Sequence, residues 1–413
     1  MLNKAPGAVI HAGSVVGAAW RRVSTVLVRA GRLLRIVTGL GWALLIVGAV
    51  SAIVGVSLGW SELIAVAAGC AVVLLAAVPF VLGRSTFAAR TELASPRVMV
   101  GDRAVGRVVV RNEGRRPSPP VRIELPVGQA RAGFQLPRLG VGEESDELFV
   151  IPTHRRAVLT LGPITSVRSD PLSVLERSVP WSEPTELYVH PRTVSLTSET
   201  TGFLRDLEGL PTRDLADDDM SFHALREYAP GDDLRSVHWR TTARTQRLMI
   251  RQFEQTRRSH LVVALSTRAE HYADAEEFEL AVSAAASVGL AALRSDKALT
   301  VVTSTGRFTA PTATRLLDRS SAIELTPGAA GLGEIGRAIA AEAPGASVVV
   351  VVTGSLTALP EVRGLSARVP VAARTSCIRA AVAEAVGRRA VGEIATVSIP
   401  SLDLLRKAVR GLE

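Results

Sequence analysis

Two adjacent stretches without a single charge constrain this chain more than anything else in it. Gly39 to Ser61 reads GLGWALLIVGAVSAIVGVSLGWS, and a second uncharged run extends from Leu63 to Gly83 with Pro79 near its end. Each matches the roughly 20 apolar residues needed to cross a hydrocarbon core of about 30 Å. Only a few residues around Glu62 separate them, so 39–83 reads as a tight transmembrane helical hairpin with both ends on one side. A buried core hairpin is the soluble alternative, and the length and adjacency of the runs favour spans. A cleaved signal peptide fits poorly, because the first run starts late and is long. Arg21, Arg22, Arg29, Arg32 and Arg35 precede the first run, and Arg84 and Arg90 follow the second. The positive-inside rule then puts both termini in the cytoplasm.

Charge is informative only once it is located. The net charge is +9, yet residues 1–90 hold eight basic groups against Glu62 alone, leaving +2 for the other 323 residues. The excess belongs to the membrane end and points to inner-membrane lipid, not to nucleic acid. Lysine occurs at positions 4, 297 and 407 only, so the basic side chains are nearly all arginine. Over 19–37 the arginines fall in one arc of roughly 140° at helical periodicity. Ala19, Val23, Val26, Leu27, Ala30, Leu33, Leu34 and Val37 fill the opposite side. Residues 1–38 therefore read as a basic amphipathic segment suited to an anionic leaflet, with a basic tail that serves only topology as the alternative.

Two cysteines, Cys70 and Cys377, support neither a disulfide scaffold nor a thiolate zinc cluster. Cys377 is expected at a helix start. Gly48 and Gly55 offer small-residue packing positions in the first run, among so many Gly and Ala that the spacing carries no signal. No charge lies within either run to mark a transport path.

Beyond Arg90 the pattern changes to short alternating runs broken by Gly and Pro. Strands are expected at 107–111, 121–125 (ending before Pro126), 147–151, 157–161, 164–168 and 186–189. That spacing suggests a β-sandwich-like domain over 91–195, a spacer or docking module without catalytic residues. His154, beside Arg155 and Arg156, reads as a surface loop.

Residues 196–258 form a linker containing FHALREYAPGDDLRSVHWRTTARTQRLMIRQFE at 222–254. It concentrates Arg226, Tyr228, Gly231, Asp232, Asp233, Arg235, His238, Trp239 and Arg244. Pro230 to Asp233 reads as a turn whose carboxylates cap a helix starting near Leu234, with Arg235, His238 and Trp239 at helical spacing. Three roles fit: arginine–carboxylate pairs that pin the turn, partner docking, or acid–base chemistry by Asp232, Asp233 and His238. No nucleophile elbow or Gly-rich phosphate loop accompanies them, and the neighbouring arginines oppose a cation.

The arrangement R-E-Y-x-P-G-D-D-x-R-x-x-H-W, followed by T-A-R and a hydrophobic strand, closely resembles the signature of the bacterial family called domain of unknown function 58. The likeness extends over roughly 40–413 and includes two spans followed by a β-rich region. It implies a protein anchored in the bacterial cell membrane with a C-terminal von Willebrand factor A-like domain. It also implies a MoxR-type AAA+ ATPase as partner, and no established enzymatic activity.

Residues 259–413 alternate apolar strands with helices, indicating an α/β, doubly wound domain. Strands are expected at 261–265, 298–303, 307–309, 347–353, 368–372 and 394–399. Helices are expected at 275–293, 314–323, 332–342, 378–386 and 402–409. The A-like resemblance implies D-x-S-x-S after the first strand, completed by a later Thr and Asp, to hold a divalent cation. Here Ser266 stands at the first aspartate position, Arg268 replaces a hydroxyl ligand, Glu270 follows, and Thr353 ends the later strand without a carboxylate. The metal site is degenerate, so no metal and no other cofactor is expected. Arg268 would favour an anion or a partner's carboxylate, or is simply solvated.

The reading is a non-enzymatic, membrane-anchored cytoplasmic adaptor that docks a protein partner. The alternative is an enzyme of unknown reaction using Asp232, Asp233 and His238.

Overall fold

A computed structural model describes residues 36–82, 86–196, 220–229, 234, 237–255 and 260–410, with backbone alone for 220–224 and 251–255. The amphipathic segment expected before the first run lies outside these residues, except for Ile36 and Val37. Those two are not helical: Val37 forms an antiparallel bridge with Leu175.

Helix α1 spans Gly39–Leu58 and α2 spans Ser61–Val81; both are long and apolar enough to cross a membrane. Thr38 caps α1, its Oγ1 accepting the Gly41 amide at 3.2 Å. Gly59 ends it with a left-handed φ of 68°, a conformation that costs glycine little. The joining turn is therefore Gly59 and Trp60, and Glu62 sits in the first turn of α2, where a carboxylate favours the helix dipole. Pro79 lies within the last turn of α2, which continues to Val81.

The chain clusters into two compact units. The first comprises 1–98, 102–153 and 159–187, and the second 99–101, 154–158 and 188–413. After the hairpin come β1 (Phe87–Leu93), β2 (Arg97–Met99), β3 (Arg103–Asn112), β4 (Val121–Val127) and β5 (Ala130–Leu136). They are followed by β6 (Glu144–Pro152), β7 (Ala157–Leu161), β8 (Thr165–Ser169), β9 (Glu176–Pro180) and β10 (Thr185–His190). One sheet has the order β1-β3-β6, and the other β2-β10-β7-β4-β8-β9 with β5 on β4. Their inward residues, including Val108 and Val110 from the first sheet and Ile123 and Leu125 from the second, form one core. Pro126 does not end β4 as expected. The strand runs on to Val127, and the Pro126 carbonyl accepts the Gly162 amide at 2.8 Å.

The signature region forms β11 (Met220–Glu227), α3 (Trp239–Thr245) and β12 (Met249–Gln255), with β11 and β12 antiparallel. Then follow β13 (His260–Leu265), α4 (Ala275–Arg294), β14 (Ala298–Thr303), β15 (Gly306–Thr309), α5 (Ala313–Ser321) and α6 (Leu332–Glu342). The chain continues with β16 (Val348–Gly354), α7 (Leu359–Ser366), β17 (Arg374–Ala380), β18 (Gly387–Val391), β19 (Ile394–Ile399) and α8 (Leu405–Val409). The sheet order is β15-β14-β13-β16-β17-β19-β18, parallel within and antiparallel at both edge strands. Every residue of β16 is buried, because apolar layers cover both sheet faces. Val348, Val350 and Val352 pack with α4, while Val349 and Val351 pack with Leu332, Ile335, Val362 and Leu365 of α6 and α7.

Three expectations in this region are corrected. Residues 368–372 are not a strand; the element before β17 is α7. Residues 378–386 are not a helix: β17 runs to Ala380 and a turn leads to β18. Cys377 is accordingly buried in mid-strand, not at a helix start. The run C-I-R-A-A-V-A-E-A-V has helix-forming composition, but pairing of Ser376 to Ala380 with β19 and of Arg374 to Ala380 with β16 overrides it.

Candidate functional site

Counted from the first strand of this sheet, β13, the order is 3-2-1-4-5-7-6, so the chain reverses direction across the sheet between β13 and β16. In open α/β sheets the crevice at the carboxyl ends of such strands is where ligands bind. Ser266 follows β13 and donates its amide to Val352 O at 3.0 Å. Its side chain is fully buried, with Oγ 2.7 Å from His271 Nδ1 and accepting the Arg268 amide at 3.3 Å. His271 Nε2 lies 3.2 Å from Glu361 Oε2 at the start of α7. A hydroxyl, an imidazole and a carboxylate thus stand in line, but the buried serine presents no face to a substrate. The line fastens the loop after β13 to α7. Burial pushes the His271 imidazole below its ordinary pKa, against the pull of Glu361.

Arg268 is not simply solvated. Its Nε donates to Glu270 Oε2 at 3.1 Å, and Glu270 Oε1 accepts the Gly328 amide at 3.0 Å. Backbone amides, with Arg268 assisting, hold the exposed Glu270 carboxyl below the usual carboxylate range. The same loop pairs with Thr326, whose amide donates to Thr267 O at 2.8 Å. Thr353 Oγ1 lies 2.5 Å from Thr357 Oγ1. Glu277 was not anticipated from the sequence. It is buried in the first turn of α4, and its Oε2 accepts from the Ala273 amide at 3.0 Å and from Ser355 Oγ at 2.9 Å. Among the described residues, no three His, Cys, Asp or Glu side chains form a group able to hold a metal ion. A cleft of about 370 Å³ opens beside β14 and β15, lined by Thr303, Arg307, Arg319, Glu324 and Thr326.

The signature residues divide by what the structure describes. Gly231, Asp232, Asp233 and Arg235 lie outside the described residues, as do the arginine–carboxylate pairs expected of them. Leu234 itself lies in a 3-10 turn, and the α-helix of this segment, α3, begins later, at Trp239, with His238 as its cap residue. His238 donates its amide to Met249 O at 2.8 Å, and its Nδ1 lies 2.7 Å from Thr241 Oγ1, so the ring turns back onto its own helix. Arg226 donates to the Glu227 carbonyl at 3.1 Å, and Glu227 pairs with Arg247 at 2.6 Å. The Tyr228 amide donates to Leu248 O at 2.8 Å, closing the hairpin end. Arg244 lies in the last turn of α3, where a cation favours the helix dipole. Trp239 is 68% exposed, with exposed Leu234 and Leu248 in the same segment.

His154 is exposed, as expected of a surface histidine, whereas Arg156 two residues on is buried: its Nε lies 3.0 Å from Glu279 Oε2 and its guanidinium 5.1 Å from the Phe278 ring centre. Only the tertiary partners on α4 reveal this role.

Two apolar helices, a mostly β region and a later α/β unit define the class of protein. Within it, residues 224–373 match the family described as "Protein of unknown function DUF58", which covers the signature hairpin and the crevice between β13 and β16. No curated protein matches the chain. Among solved structures, the CARDB domain of the PF1109 protein from Pyrococcus furiosus is similar at 16% identity, covering 25% of this chain and 93% of that one with a TM-score of 0.20. The Pseudomonas fluorescens alkylpurine DNA glycosylase AlkC is similar at 8% identity over 27% of this chain and 32% of its own, with a TM-score of 0.21. A beta-glucosidase from Listeria innocua is similar at 14% identity over 27% and 17%, with a TM-score of 0.18. Scores this low define neither a shared fold nor shared chemistry.

Proposed function

We propose that this protein is a membrane-anchored cytoplasmic adaptor. In this reading α1 and α2 anchor it in a bacterial cell membrane and a β-sandwich spaces it from the bilayer. A von Willebrand factor A-like domain without a working metal site then docks a protein partner. The strand order with an antiparallel β15 at its edge supports the A-like assignment. A MoxR-type AAA+ ATPase is the partner that the family likeness suggests.

The observation that carries the docking role is Trp239, which stands 68% exposed on the family-matched segment. An indole left in water costs hydrophobic free energy that a partner recovers, and tryptophan is enriched at binding hot spots. The polar groups at the crevice support docking over catalysis, since Ser266, His271 and Glu277 are engaged within the protein.

The test is a mild-detergent pull-down of the full chain from its native membrane, comparing wild type, Trp239→Ala and the Asp232→Ala/Arg235→Ala pair. Recovery of an AAA+ ATPase with wild type should fall at least tenfold with Trp239→Ala at an unchanged melting temperature. Equal recovery with Trp239→Ala would remove this surface from the interface, and consistent absence of any ATPase would remove the partner.

A further inference from the structure

The turn joining β8 to β9 carries an apolar residue where water-facing turns carry polar ones. Asp170, Pro171, Leu172 and Ser173 form a β-turn in which the Ser173 amide donates to Asp170 O at 2.9 Å. Pro171 holds the second position, where its fixed φ suits the bend. The buried Asp170 carboxylate accepts the Leu172 and Leu175 amides at 2.9 and 2.7 Å, so the tip is held firmly. At that tip Leu172 is 62% exposed.

What lies beside the turn is the hairpin. Thr38 Oγ1 is 2.7 Å from Ser173 O and 3.0 Å from Val174 O, and the Glu176 amide donates to Ile36 O at 2.7 Å. Gly41, in the first turn of α1, lies so close to the Val174 carbonyl that a Cβ there would collide with it. Helix α2 touches β8, and Ala77 and Val81, one turn apart at its end, are buried. The turn is therefore level with the first turn of one apolar helix and the last turn of the other. Trp42 and Phe80 are exposed at this level, as befits the aromatic belt of a membrane interface.

We propose that this turn is a second membrane contact, with Leu172 entering the boundary between headgroups and acyl chains. The proposal rests on α1 and α2 being spans. It makes the first unit a body seated on the bilayer through both its hairpin and its β8–β9 turn.

The test uses the full chain in nanodiscs of anionic phosphatidylglycerol with brominated acyl chains. A bimane label is placed at Leu172→Cys in a Cys70→Ala/Cys377→Ala background. Trp42→Cys serves as the control within a span. Val150→Cys serves as the solvent control, since it pairs with Val105 at the end of the three-stranded sheet remote from where β1 begins. The label at 172 should be quenched at least half as strongly as that at 42, while that at 150 stays unquenched. A quenched label at 42 with an unquenched one at 172 overturns the proposal alone, whereas no quenching at 42 overturns the span reading beneath it.

Discussion

His271 shows how burial converts a single side chain into a pH term. Its folded-state pKa is depressed, so between the folded and unfolded values the unfolded chain binds more protons. The stability it contributes is present above about pH 6.5, the ordinary histidine value, and is lost as pH falls through the folded pKa. Thermal stability of the full chain in detergent should therefore weaken as pH falls below about 6.5, and His271→Gln should flatten that limb; an unchanged limb would detach His271 from it. Cys377 is the second residue whose environment dictates its chemistry. Burial pushes its thiol up to about 12, leaving almost no thiolate at neutral pH. Iodoacetamide should modify Cys377 only after denaturation, as read by peptide mass spectrometry. Modification of the native chain at the rate of a free thiol would contradict the buried position. Neither environment was visible in the sequence, because each depends on neighbours from other elements: Ser266 and Glu361 for His271, and β16 and β19 for Cys377.

At the scale of elements, strands whose composition leaves one choice were legible. Residues 157–161, 298–303 and 394–399 form the strands expected of them, and the helix expected at 332–342 is α6. Elements with weak local patterns were not: β1, β5 and β9 (FAARTEL, ARAGFQL and ERSVP) have little apolar alternation and owe their form to strand pairing. Where β16 ends, Gly354 is needed because of what packs on it. A Cβ there would strike His271 O and the Tyr272 ring. Gly354→Ala should cost about 1–3 kcal/mol, the range for overpacking, measured as a lowered denaturation midpoint of the full chain. A loss below about 0.5 kcal/mol, the scale of a neutral surface substitution, would show that the loop gives way. The site was legible only in part. Arg268 and Glu270 could be placed after the first strand from the sequence. Their mutual pairing and the Glu277 anchor to Ser355 could not, because the latter joins residues far apart in the chain.

For the whole molecule, the decisive prediction concerns sidedness. In intact cells an impermeant maleimide should label Trp60→Cys, in the turn between the spans, in a Cys70→Ala background. Val371→Cys, fully exposed on the α/β unit, should be labelled only after permeabilisation. Labelling of Val371→Cys in intact cells would place the α/β unit outside and remove the cytoplasmic adaptor reading. The sequence by itself determined the apolar hairpin, the β-rich region and the later α/β unit. These follow from local properties: uncharged length, period-two alternation, and apolar runs separated by helical stretches. Tertiary structure alone decided that 378–386 is not a helix, that Arg156 is buried, that Ser266 meets His271, and that the Asp170–Ser173 turn lies against the hairpin. Each of these depends on hydrogen bonds and burial between segments distant in the chain, and such energies outweigh the propensity of any short stretch read alone.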